Sequence, residues 1–184
     1  MDLLTDESLI EKVQKGQVDA CGLLYKRYKK PLFGYFYNNV YDEARCEDLV
    51  QQTFEKVLKY KKNFNGSGSF KSWLFTIARN TYIDEFNHRK KNRSVSIMEH
   101  DFAHEQHGEQ KLIDEEKNAL LNKALRMLDD DKREMITMVK LSEMKYQQVA
   151  DIYGLSLSNV KTRIYRIMIE LKENAEKLRA HGQI

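Results

Sequence analysis

At 184 residues, 41% apolar and 32% charged, the chain has material for one or two small helical cores. A single proline and eight glycines leave too few turn formers for a β-sandwich, and no apolar run approaches the roughly 18 residues of a membrane-spanning helix. The net charge of +3 is too small to imply a polyanionic partner by itself.

From the amino terminus, Met1 to Glu7 is acidic and lacks the basic start and apolar stretch of a signal peptide, so a cytoplasmic protein without membrane insertion is expected. Thr5 or Asp6 can cap a first helix that ends near Gly16, with Leu9, Ile10 and Val13 as its apolar stripe. A second helix starts near Asp19 and carries Leu23, Leu24 and Tyr28. Pro31 should kink or interrupt it, because its ring removes an amide and crowds the preceding turn. Cys21 and Cys46 form no CxxC pair and are expected as buried thiols.

Asp42 can cap a third helix, where Cys46, Leu49, Val50, Phe54, Val57 and Leu58 share one side. Asp48, Gln52, Glu55 and Lys59 fall on the other side. The stretch from Asn63 to Ser69 is the clearest loop. Ser69 caps a fourth helix with Phe70, Trp73, Leu74, Ile77, Thr81 and Phe86 directed inward.

Periodicity fails between Ser94 and Gly108. From Glu99 to Glu109 the chain carries Glu99, Asp101, Glu105 and Glu109 without a Lys or Arg among them. This acidic stretch separates two basic islands, Arg79 to Arg93 and Lys161 to Arg166, a pattern that suits two contact surfaces on one polyanion as well as ordinary solvated helix faces. The expected division is a first helical domain over 1–93, an acidic linker over 94–113 and a second helical domain over 114–184. In the last of these, Leu120, Leu121, Ala124, Leu125 and Leu128 line one helix, and Asp129 to Asp131 break it and cap the next. The fold class expected is all-α, two small helical domains joined by a flexible linker.

The sharpest local signal runs from Gln147 to Val160. A helix-turn-helix needs a small residue where its helices cross, here Ala150. It also needs a residue tolerant of positive φ in the turn, here Gly154, and an apolar anchor on the second helix, here Val160. Ser156 can cap the second helix, and Ile164 and Ile167 continue its buried side. Ser158, Asn159, Thr162, Arg163 and Arg166 then point largely outward, beside Lys161. Arg pairs with guanine, Asn with adenine, and Ser or Thr with phosphates or bases, so this face suits a major groove. A helical hairpin with a glycine turn is the plain alternative.

The stretch Cys46 to Phe54, followed by Phe70 to Asp84, closely resembles region 2 of the extracytoplasmic-function sigma factors of RNA polymerase. Leu125 to Leu128, Arg133-Glu134, Tyr146 to Ala150, Gly154 to Ser156 and Val160 to Arg163 resemble region 4. The resemblance implies that Asp48, Gln51 and Gln52 dock on core RNA polymerase. It implies that the Asn63–Ser69 loop and the helix bearing Asn80 open and read the −10 element of promoter DNA, with Lys71, Arg79 and Arg89 on phosphates. Phe64 is the expected stacking residue, and Trp73 is expected in the core. Ser158, Asn159, Lys161, Thr162, Arg163 and Arg166 are the expected −35 contacts. An anti-sigma factor is a further implied partner. In the family the acidic linker threads a basic channel of the polymerase; a solubilising tether fits its composition equally well. The family's usual proline and glutamate are Asp129 and Gln148 here, and its usual glycine–threonine is Ser158-Asn159, which leaves the promoter sequence open.

Two other readings explain part of the chain. A dimeric helix-turn-helix regulator leaves the Phe70–Asp84 block without a purpose, and a sigma-like decoy for an anti-sigma protein needs no basic outer face. No P-loop, zinc spacing or nucleophile–base set appears in the sequence, so no enzyme activity, cofactor, metal or small-molecule substrate is expected.

Overall fold

The computed structural model describes residues 4–92 and 109–180, with side chains for 4–88 and 118–180. These residues form eight α-helices with no strand among them. The first half comprises α1 (Asp6–Gln14), α2 (Asp19–Val40), α3 (Glu43–Tyr60), a 3₁₀ turn at Lys61–Asn63, and α4 (Phe70–Asn92). The second comprises α5 (Glu109–Arg126), α6 (Asp130–Lys140), α7 (Tyr146–Tyr153) and α8 (Leu157–Ala180). Helix α5 thus begins inside the span expected as linker.

Local chemistry explains where the helices start. The Thr5 hydroxyl accepts from the Ser8 amide at 3.2 Å, Asp42 from the Arg45 amide at 3.1 Å and Ser69 from the Ser72 amide at 3.1 Å, each filling one of the amides a helix start leaves open. Asp129 occupies the corresponding position before α6 but makes no side-chain cap. Its carboxylate lies 3.1 Å from the Lys132 ammonium instead.

Helix α2 runs through Pro31 without interruption. A mid-helix proline costs roughly 3 kcal/mol, and the aromatic turn that follows it offsets that cost. Leu32, Tyr35 and Phe36 are all fully buried, each worth about 1.5–3 kcal/mol on leaving water. The core of the first half is aromatic: Tyr35 meets Phe75 edge-on at 5.7 Å, and Tyr28 meets Phe70 at 5.7 Å. Leu23 and Phe86, expected on inward stripes, are exposed. They lie at the edges of stripes whose centres Leu24 and Tyr82 occupy.

Phe64 corrects the expectation of an accessible stacking residue. Only 7% exposed, its ring packs against Phe70 and Trp73 with centroids at 6.1 and 5.5 Å. The Gln14 amide holds the turn in place by donating to the carbonyls of Lys61 and Phe64, both at 2.7 Å. Trp73 is partly buried, at the margin of the same cluster. The loop is polar, yet its one apolar side chain gains more from the core than from solvent.

The buried residues of the two halves form one continuous cluster. Helix α2 packs on α6, and α4 on α7.

Candidate polymerase and nucleic-acid interfaces

The helix-turn-helix geometry is complete. Ala150 is 1% exposed at the crossing of α7 and α8. Gly154 takes φ 63°, ψ 35° and donates to the Ala150 carbonyl, a left-handed turn that glycine adopts without the Cβ clash. The Ser156 hydroxyl accepts from the Asn159 amide at 3.2 Å and starts α8. Val160, Ile164 and Ile167 anchor α8 in the core, which leaves Ser158, Asn159, Lys161, Thr162, Arg163 and Arg166 all exposed. The Thr162 hydroxyl donates back to the Ser158 carbonyl at 3.0 Å. Asn159, Arg163 and Arg166, spaced by four and three residues, share one strip of the helix.

On α3 the burial pattern separates two faces. Cys46, Leu49, Val50, Thr53, Phe54 and Val57 are buried, and Asp48, Gln51 and Gln52 are exposed. The Gln51 amide donates to Glu55 at 3.0 Å, so the face is a solvated row of carboxylates and amides held on a rigid helix.

The α4 residues have a different setting. Asn80 is exposed. Lys71 donates to the backbone carbonyls of Ser142 and Glu143 at 2.7 and 3.3 Å, and burial lowers its pKa from the ordinary value. Arg79 lies with Nε 3.3 Å from a Glu134 oxygen and with its guanidinium 4.3 Å over the Tyr153 ring. Both cations are therefore engaged by the second half of the chain. Arg89 falls on α4, and its side chain lies outside the described residues.

Residues 24–93 match the sigma-70 region 2 family and residues 119–171 the sigma-70 region 4 family. RNA polymerase sigma factor YlaC of Bacillus subtilis is 30% identical over 174 residues, 90% of this chain and 98% of the relative. The ECF RNA polymerase sigma-E factor of Escherichia coli K12 is 31% identical over 174 residues, 89% of this chain and 90% of the relative. The chain belongs to the extracytoplasmic-function sigma factors of RNA polymerase. It acts in promoter-directed initiation of transcription. Among solved structures, the sigma factor RpoE of Bartonella quintana, in complex with the anti-sigma factor NepR, superposes with a TM-score of 0.66 at 28% identity. The match covers 90% of this sigma factor and 98% of that chain.

The feature of this sigma factor that sequence patterning misses is the junction between its halves. Glu134 on α6 is 2% exposed. It accepts from the Tyr35 hydroxyl at 2.5 Å and the Tyr153 hydroxyl at 2.8 Å, beside Arg79. Two charge-assisted hydrogen bonds and one cation are what a buried carboxylate needs to offset its lost hydration. Close by, Gln148 donates to the Ser69 hydroxyl at 2.8 Å. Arg126 lies 4.3 Å over the Tyr41 ring and Arg133 5.7 Å. A cleft of about 330 Å³ is lined by Asp131, Lys132, Tyr153, Arg163, Arg166 and Glu170 of the second half, with Arg79 the one first-half residue on its wall. Glu134 belongs to a helix whose apolar spacing is ordinary; a carboxylate at a buried position is the one available signal.

Burial, then the Glu134 carboxylate, raises the pKa of Tyr35 and Tyr153 above the ordinary 10. The folded chain then keeps protons that the unfolded chain releases, so this stability is complete below pH 10 and is lost as pH rises above it. Urea midpoints between about pH 8 and about pH 11 should fall, and Tyr35→Phe should flatten that slope; an unchanged slope would remove the hydroxyl from the linkage.

Proposed function

We propose that this sigma factor docks on core RNA polymerase through Asp48, Gln51 and Gln52, contacts the −10 element through Lys71, Arg79, Asn80 and Arg89, and reads the −35 element through Ser158, Asn159, Lys161, Thr162, Arg163 and Arg166. The observation that carries the reading is the outward strip of α8. A helix-turn-helix with a left-handed glycine turn and a buried Val160–Ile164–Ile167 stripe leaves Ser158, Asn159, Lys161, Thr162, Arg163 and Arg166 exposed to a groove. On this reading residues 1–93 serve polymerase docking and −10 opening, 94–113 form the acidic linker and 114–184 hold the −35 reader.

The protein works in the cytoplasm, without catalysis, cofactor or small-molecule substrate of its own. The described residues include no helix long and apolar enough to cross a membrane. The complex of the Bartonella quintana relative with an anti-sigma factor supports a partner of that class here.

The deciding experiment supplies the purified chain with bacterial core polymerase and a library of promoter fragments, and sequences the transcripts. Start sites sharing two spaced motifs are expected; initiation that is no different without the chain refutes the reading. Asp48→Arg should weaken core binding about tenfold, since a repulsion replaces an attraction in a contact worth on the order of 1 kcal/mol. Its helical content should stay unchanged by circular dichroism. Normal assembly by this variant removes the docking role from α3.

A further inference from the structure

We propose that the cleft bounded by α6, α7 and α8 is a small-molecule site that takes an aromatic phosphate monoester. Its occupant competes with the −35 element for Arg163 and Arg166. The competition, though not the site, rests on the −35 role proposed for those two arginines.

The inner wall suits a flat apolar body. The cleft volume of about 330 Å³ falls at the lower end of the roughly 300–1,000 Å³ of small-molecule pockets. Met135 and Ile167, 2% and 4% exposed, supply an apolar lining. Tyr153 shares that lining, with the Arg79 guanidinium 4.3 Å over its ring. Planar groups of both kinds stack on aromatic rings.

Charge selects the other end of the ligand. Lys132 donates to both Glu170 oxygens, at 3.1 and 2.9 Å, so these two neutralise each other. Arg163 and Arg166 also line the cleft and have no carboxylate partner among the described residues. Two such guanidiniums one turn apart on α8 match a phosphate monoester, which carries a charge of about −1.5 to −2 at neutral pH. Its oxygens accept the forked donors of arginine, and a sulfate ester of the same shape brings only a single charge. Arg79 adds a buried donor. Its Nε lies 3.3 Å from a Glu134 oxygen without the alignment of a hydrogen bond, and buried donors rarely stay without an acceptor. Asp131, exposed on the same wall, opposes any anion there.

The arginines that would hold the ester are those that α8 presents to DNA. Phosphate or base acceptors of a duplex need the same guanidinium donors, so ester and duplex exclude one another.

The test titrates the full chain with 1-naphthyl phosphate by isothermal calorimetry. One-to-one binding with a Kd of about 0.1–1 mM is expected for a ligand of this size. 1-Naphthyl sulfate, which lacks the second charge, and inorganic phosphate, which lacks the ring, should each bind about tenfold more weakly. Arg163→Ala or Arg166→Ala should weaken the ester about tenfold. Asp131→Asn should tighten it about threefold, and this exposed, near-isosteric change keeps the test independent of any folding defect. Adenosine 5′-monophosphate distinguishes the source: its binding assigns nucleotides, and binding of the naphthyl ester alone assigns a non-nucleotide ester, both supporting the site. In a second arm, the ester should displace a labelled duplex carrying the −35 element of a selected promoter. Absence of saturable binding, or an affinity unmoved by all three substitutions, overturns the site. Saturable binding without displacement overturns the competition. If no duplex binds even without the ester, the −35 role falls, while the calorimetric arm still decides the site.

Discussion

Arg163→Ala combined with Arg166→Ala will lower affinity for duplex carrying the −35 element by about 2–6 kcal/mol, roughly 30-fold to 10⁴-fold, if both make bidentate base contacts worth about 1–3 kcal/mol each. Both side chains are exposed on one strip of α8, while the buried Ile164 and Ile167 between and beside them hold the helix in place when the cations are removed. Fold stability should therefore be unchanged, so the loss reports contact and not unfolding. The single variants separate two kinds of contact. An arginine on a phosphate reduces the salt dependence of binding by about one counterion and weakens all sequences alike; an arginine on guanine leaves the salt slope closer to wild type and relaxes preference at one base pair. Titration at three salt concentrations with one cognate and one mismatched duplex distinguishes them. Unchanged affinity in the double variant would move the reading surface off α8.

Phe64→Ala is the second large effect. A phenylalanine 7% exposed and packed between Phe70 and Trp73 costs about 3–5 kcal/mol on truncation, because transfer energy and a cavity are lost together. Urea unfolding should show that shift. The same variant discriminates the two roles of this residue. An exposed stacking aromatic would change stability by less than about 0.5 kcal/mol and would cost about 1–3 kcal/mol of single-strand affinity. A stability change below 0.5 kcal/mol would return Phe64 to the DNA surface.

These two residues illustrate where the amino-acid pattern is informative. The α8 strip was legible because Ala150, Gly154 and Val160 answer local demands: close helix approach, a left-handed turn and an anchor, all within a dozen or so residues. The two faces of α3 were legible for the same reason, since the apolar positions from Cys46 to Val57 follow the helical period. The burial of Phe64 was not legible, because a loop's composition says nothing about which of its side chains folds back. That depended on Gln14, distant in the chain, holding the Lys61 and Phe64 carbonyls.

The sequence alone determined the all-α class, the helix starts at Thr5 or Asp6, at Asp42 and at Ser69, the helix-turn-helix and the family. Each rests on period, caps and turn chemistry that act over a few neighbouring residues. Only the tertiary structure decided that Glu134 is buried between Tyr35 and Tyr153 and that Lys71 and Arg79 face the other half. Of those contacts, the ones between the halves join residues 55 to 99 apart in the sequence. No local periodicity encodes such a pairing, because a polar residue on a helix face has the same spacing whether water or another domain covers it.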